Sequence, residues 1–215
     1  MKDLVYPLFV SVIAENIFEG SFAFCREFFS HDNADSDMLL ADMFNSYNMA
    51  VGRYTAHSRS TDDDDRNLAV DDLKAINELR LNFLNYAIEN GFDYNISKDF
   101  RLSEMVSSDA AFAHEVDNRF TESEQVINLV YLVYFALQPI RDYFGKPVYI
   151  TSAYRCTKLN NLVGGVVRSR HLVGRAADIK ISDSTGWIDP LKVQNFCAYR
   201  GIEFIKYDTF THVQI

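Results

Sequence analysis

Apolar residues recur along this chain with two different periods, and the change of period divides it. Leu68, Leu73, Ile76, Leu79, Phe83, Leu84 and Ile88 return at intervals of three and four, which predicts a helix over 68–90 that Gly91 stops. Upstream, residues 4–55 hold apolar stretches rich in rings (Phe18, Phe22, Phe24, Phe28, Phe29, Phe44, Tyr47) whose spacing also suits amphipathic helices. A loop near 92–98 marks a boundary. Beyond it, Thr121-Glu122-Ser123-Glu124 reads as a capping box with Thr121 as the cap. The helix it opens carries Val126, Ile127, Leu129, Val130, Val133, Leu137 and Ile140, is apolar on most faces, and is expected at the centre of the fold. Pro139 is placed to kink its end, and Gly145-Lys146-Pro147 to break it.

The pattern then shortens to period two. Val148-Tyr149-Ile150-Thr151 and Ala177-Asp178-Ile179-Lys180-Ile181 read as strands. Asp189-Pro190 caps and opens a helix that runs to about Tyr199. Residues 202–207 and 211–215 follow as an antiparallel pair. The expected fold is therefore α+β, a small, mainly antiparallel sheet with flanking helices over 96–215, preceded by a mostly helical region over 1–95.

Charge sharpens that division. The chain of 215 residues has a net charge of −9, but residues 1–95 carry −10 and residues 96–215 carry +1. So anionic a chain is a poor match for nucleic-acid phosphates, and no nucleic-acid partner is expected. No apolar run approaches a bilayer span, so no membrane association is expected. Asp3 and Pro7 interrupt the pattern of a secretory leader, so no signal peptide is expected either. Cys25, Cys156 and Cys197 are odd in number, far apart and without a C-x-x-C, which reads as buried thiols. The run Asp62–Asp65 lacks the alternating ligands, central Gly and closing Glu of a calcium loop. It reads as a solvated loop or as negative charge at the start of the next helix. His31 and His57 stand without a partnered pattern and read as structural or surface residues.

One stretch points to chemistry. In Ser169-Arg170-His171-Leu172-Val173-Gly174-Arg175-Ala176-Ala177-Asp178, a His on a turn and an Asp on the next strand flank a Gly, and His212 stands in the terminal strand. Two imidazoles and one carboxylate with a fourth position open are the composition of a catalytic zinc site. The spacing alone is common and does not decide the matter.

Linked motifs add specificity. Ser97-Lys98-Asp99-Phe100-Arg101-Leu102-Ser103-Glu104-Met105, Leu137-Gln138-Pro139-Ile140-Arg141 and Ile150-Thr151-Ser152-Ala153-Tyr154-Arg155-Cys156 occur in order. They are followed by Asn160, Gly164-Gly165, Ser169-x-His171-x-x-Gly174-x-Ala176-x-Asp178 and Thr211-His212-Val213. In this order and spacing the segment Ser97–Ile215 resembles the M15 family of zinc peptidases, in the branch of zinc D-Ala-D-Ala carboxypeptidases and phage endolysins. The resemblance implies Zn2+ held by His171, Asp178 and His212. It implies Arg155 as the group that holds a substrate carboxylate or carbonyl oxygen, with Tyr154 and Ser169 beside it in substrate binding.

Two positions depart from the pattern. Ala153 replaces a usual Gly, which a positive φ would tolerate poorly and an ordinary strand conformation would accept. Thr209 stands where many relatives carry a general base, which leaves Asp208, then Glu203, as the replacement. The function so implied is a zinc-dependent peptidase cutting peptidoglycan stem peptides, located in a phage virion or the host cell wall, with residues 1–95 docking other virion subunits. The alternatives are a catalytically inactive virion (tail) protein that retains the fold, and a zinc module that binds a D-amino-acid peptide without cutting it.

Overall fold

The structure is a computed structural model that describes residues 2–29, 34–183 and 186–215. Internal contacts divide the chain into two compact units, Glu15–Phe92 and Asp93–Ile215, the latter together with the first fourteen residues.

The unit over 15–92 is helical. It contains most of α1 (Lys2–Phe29), with α2 (Ala34–His57) and α3 (Asp63–Glu89). Phe83 and Leu40 are fully buried in its core, and the rings of Phe22, Phe44 and Tyr47 pack around Phe83, with the Phe22 and Phe83 centroids 5.0 Å apart. The side chains of Phe28 and Phe29, and His31 as a whole, lie outside the described residues. The aspartate run is resolved in favour of the helix start. The Asp62 carboxylate caps α3 by accepting from the Asp64 amide at 2.8 Å, and Asp63, Asp64 and Asp65 form the first turn at the positive end of the helix dipole. His57 is not solitary. Its Nδ1 lies 2.7 Å from Asp72 Oδ2, and Arg53 Nε donates to Asp72 Oδ1 at 2.8 Å, a contact between α2 and α3 that is 15 to 19 residues long in sequence and so invisible to local pattern.

The second unit holds the sheet. After the short helices α4 (Leu102–Val106) and α5 (Asp109–Ala113) comes the expected central helix, in three pieces: α6 (Ser123–Leu132), a π-helical turn over Val133–Leu137, and α7 (Gln138–Phe144). Val126, Leu129, Leu132, Val133, Leu137 and Ile140 are all fully buried. The cap differs from the expected one by a residue. Glu122 is the N-cap, because Gln125 rather than Glu124 reaches back, its Oε1 accepting from the Thr121 and Glu122 amides at 2.9 and 3.1 Å. Strands β1 (Val148–Ser152), β2 (Ala176–Asp183), β3 (Gly186–Trp187), β4 (Glu203–Lys206) and β5 (Thr211–Gln214) form an antiparallel sheet in the order β1-β2-β5-β4, with β3 on β2. Between them lie α8 (Thr157–Leu162) and α9 (Pro190–Arg200). Alternation along β2 sends Ala177, Ile179 and Ile181 into the core and leaves Asp178 on the other face. Among the described residues no helix is long and apolar enough to cross a membrane.

Candidate metal centre

His171, Asp178 and His212 come from three elements. His171 sits on a 3-10 turn over Arg170–Val173 that ends at Gly174 with φ +73°. That glycine is required twice: its φ suits no side chain, and a Cβ there would lie 2.4 Å from the Gln125 carbonyl oxygen. Two buried polar residues of α6, one turn apart, hold the loop by its carbonyls. Gln125 Nε2 donates to Leu172 O at 3.3 Å, and Asn128 Nδ2 donates to Val173 O at 2.8 Å. The Arg155 amide donates to His171 O at 3.1 Å. Asp178 and His212 need no loop, since they are directly opposite one another across the β2–β5 ladder.

The three side chains are buried, and one ligand atom from each lies within 4.8 Å of the others. Asp178 Oδ1 is 2.8 Å from His212 Nδ1, and Asp178 Oδ2 is 3.5 Å from His171 Nε2. The outer nitrogens are engaged elsewhere, His171 Nδ1 with Ala153 O at 2.6 Å and His212 Nε2 with Gln214 Oε1 at 3.1 Å. Both of those partners are oxygens that only accept, so each outer nitrogen donates, and each inner nitrogen is turned towards the carboxylate. His212 Nδ1, 2.8 Å from Asp178 Oδ1, and His171 Nε2 face one point between the three side chains. The donor set, two imidazoles with hydrogen-bonded outer nitrogens and one carboxylate, fits zinc.

Arg155 braces the carboxylate. Its Nη2 donates to Asp178 Oδ2 at 2.6 Å and its Nε to Ser152 Oγ at 2.7 Å. Burial would raise the Asp178 carboxyl pKa. The hydrogen bonds from His171 and His212, with the Arg155 charge, outweigh burial and hold the group well below the usual carboxylate range. A register shift in β1 between Ile150 and Ser152 sets Ser152 opposite Asp178.

These residues open on a cleft of about 560 Å³. Arg155, Ser169, His171, Asp178 and His212 line it, with Tyr207 and Phe210, whose rings stack at 4.4 Å, on one wall and Arg168 and Arg170 at the rim. Not every expected site residue arrives there. Tyr154 is 2 % exposed, its hydroxyl donates to Arg119 O at 2.8 Å and its ring packs on Phe120, so it is a pillar of the core beneath Arg155 rather than a surface for substrate. Asp208 is exposed on the β4–β5 turn and lines a separate cavity of about 270 Å³ with Lys180, Trp187 and Asp189. Glu203 shares the face of the sheet that carries His212, because it stands opposite Gln214, but its carboxylate accepts from Gln214 Nε2 at 3.0 Å and does not line the cleft. Ala153 has an ordinary negative φ and offers its carbonyl to His171, so the missing glycine costs nothing. Gly165 belongs to the cleft wall and Asn160 is buried behind it: Asn160 Nδ2 donates to Val166 O at 3.0 Å, and a Cβ on Gly165 would collide with the Asn160 side chain.

The residues that motif reading missed are supports rather than ligands: Gln125, Asn128, Ser152 and Gln214. For Gln214 a signal was present, since a residue two beyond His212 in a strand must share its face. A family model described as Peptidase M15 matches residues 98–214, more than half of the chain and the whole of the metal centre. No curated protein matches the chain.

Proposed function

The chain belongs to the peptidase M15 family, and from that premise we propose that it is a zinc-dependent peptidase acting on peptidoglycan stem peptides. The observation that carries the reading is the convergence of His171, Asp178 and His212 around one point at the floor of an open cleft. A zinc ion in that position supplies a Lewis acid that polarises the scissile carbonyl and activates water at neutral pH. The protein's own groups do the rest. His171 and His212 turn their inner nitrogens to the metal position while their outer nitrogens donate to Ala153 and Gln214, and Asp178 stays ionised. Arg155, fixed by Ser152 and Asp178, has further N–H donors for the carbonyl oxygen as it gains charge. Arg168 and Arg170 have no ion-pair partner among the described residues and stand at the rim, where they favour a substrate with free carboxylates, as stem peptides have. The acidic region over 1–95 serves in this reading as the docking part of a phage virion protein, with the enzyme delivered to the host cell wall.

Purified protein loaded with zinc is expected to release new amines from peptidoglycan, and His171→Ala to abolish the release. Undiminished release from that variant would overturn the assignment. A second reading is favoured by one observation: the only carboxylate among the residues that line the cleft is Asp178, a ligand, while Asp208 lies in another cavity. On that reading the chain is an inactive virion (tail) protein that retains the metal fold. Bound zinc without any amine release supports it.

A further inference from the structure

We infer that Gln214 and Glu203 form a polarity lock on His212 that sets how tightly the centre holds its cation. The inference rests on the metal-centre reading above and assigns these two residues a positioning role.

The two imidazoles are held by different means. His171 is held by a backbone carbonyl, that of Ala153, at 2.6 Å. His212 is held by a side chain, Gln214 Oε1, at 3.1 Å. A carboxamide has a donating end and an accepting end, and turning it over exchanges them. With the amine end towards His212, ring Nε2 would be the acceptor and the hydrogen would move to Nδ1. The inner nitrogen would then have no lone pair for a metal. Glu203 forbids that arrangement. It stands opposite Gln214 on the neighbouring strand, and its Oε2 accepts from Gln214 Nε2 at 3.0 Å. Reversing the amide would set its oxygen against a carboxylate. The charge of Glu203 thus fixes the amide, the amide fixes the hydrogen on Nε2, and Nδ1 is left facing Asp178 Oδ1 at 2.8 Å. The alternation of β4 and β5 builds this chain, since Glu203 and Gln214 are a direct cross-strand pair and His212 is two residues from Gln214 on the same face. Glu203, considered above as a proton acceptor, acts here through Gln214 and touches no substrate.

The experiment is zinc affinity of the full chain, measured by competition with a chromophoric chelator, with thermal melts of the metal-free proteins as the check on folding. Gln214→Leu, close in volume but unable to accept, is expected to weaken zinc binding about 10–100-fold, the usual effect of losing such an outer partner. Glu203→Leu is expected to weaken it less, because the amide is then free to take either orientation. The double swap Gln214→Glu with Glu203→Gln keeps an acceptor against His212 and a donor between the strands, and is expected to recover most of the loss. Long-range 1H–15N spectra of the zinc-loaded wild type are expected to show His212 protonated on Nε2. Affinity of Gln214→Leu within twofold of wild type, a swap no better than the single variant, or His212 protonated on Nδ1 would each overturn the lock. Wild-type protein that binds no zinc would instead sink the metal-centre reading, and the lock with it.

Discussion

Asp178 shows how much one side chain can be asked to do. It faces His171 on one oxygen and His212 on the other, and it takes a charged hydrogen bond from Arg155. Because its pKa in the folded protein lies below the value of about 3.9 expected in the unfolded chain, folding is favoured by its ionisation above that pH. This contribution is present in full above about pH 5 and is lost as pH falls towards the folded-state value. Denaturant midpoints of metal-free wild type and Asp178→Asn are therefore expected to lie far apart at pH 7 and to draw progressively closer as the pH is lowered from about 5 to 3. A gap of constant size across that range would show that the charge is not what holds the site. Gly174 is as tightly constrained as Asp178. Gly174→Ala forces a side chain into a left-handed turn and against the Gln125 carbonyl, and is expected to cost about 2–3 kcal/mol or more in urea unfolding. A loss under half a kcal/mol would mean the turn moves freely.

Elements were legible to different degrees, and the differences have physical causes. The period-three-and-four run of α3 could be read because amphipathic spacing is a local property, whereas the aspartate run suited a loop or a helix start equally and α3 begins at Asp63, ahead of the expected 68. Asp62→Ala is accordingly expected to cost about 1 kcal/mol of stability, seen as a lower unfolding midpoint. A variant as stable as wild type would remove Asp62 from the cap. The strands β1, β2, β4 and β5 were legible from alternation. The π-helical turn over Val133–Leu137 was not, because it leaves the apolar pattern of the central helix unbroken. The cap at Glu122 was misplaced by one residue because Glu124 and Gln125 can both reach back, and only the packing of Gln125 under Leu172 decides between them. The three residues of the candidate metal centre, His171, Asp178 and His212, could be singled out together from their motifs, since each falls at a fixed offset from a turn or strand end. Tyr154 and Asp208 could not be placed. Tyr154 lies beyond the end of β1 and Asp208 in the β4–β5 turn, where no alternation sets the face of a side chain.

At the scale of the molecule, the sheet brings two ligands together by register alone, and the central helix brings the third by gripping a loop. Charge is divided in the same way, with an excess of 10 negative charges over residues 1–95 and near balance over the part that holds the cleft. The proposed chemistry depends on a single ion held at one place. Zinc content by mass spectrometry of wild type and of His171→Ala, Asp178→Ala and His212→Ala, after equal reconstitution and dialysis, tests this directly. One equivalent of zinc per wild-type chain and almost none in each variant is the predicted result. A wild type that emerges free of metal, or any of the three variants retaining a full equivalent, would contradict the account.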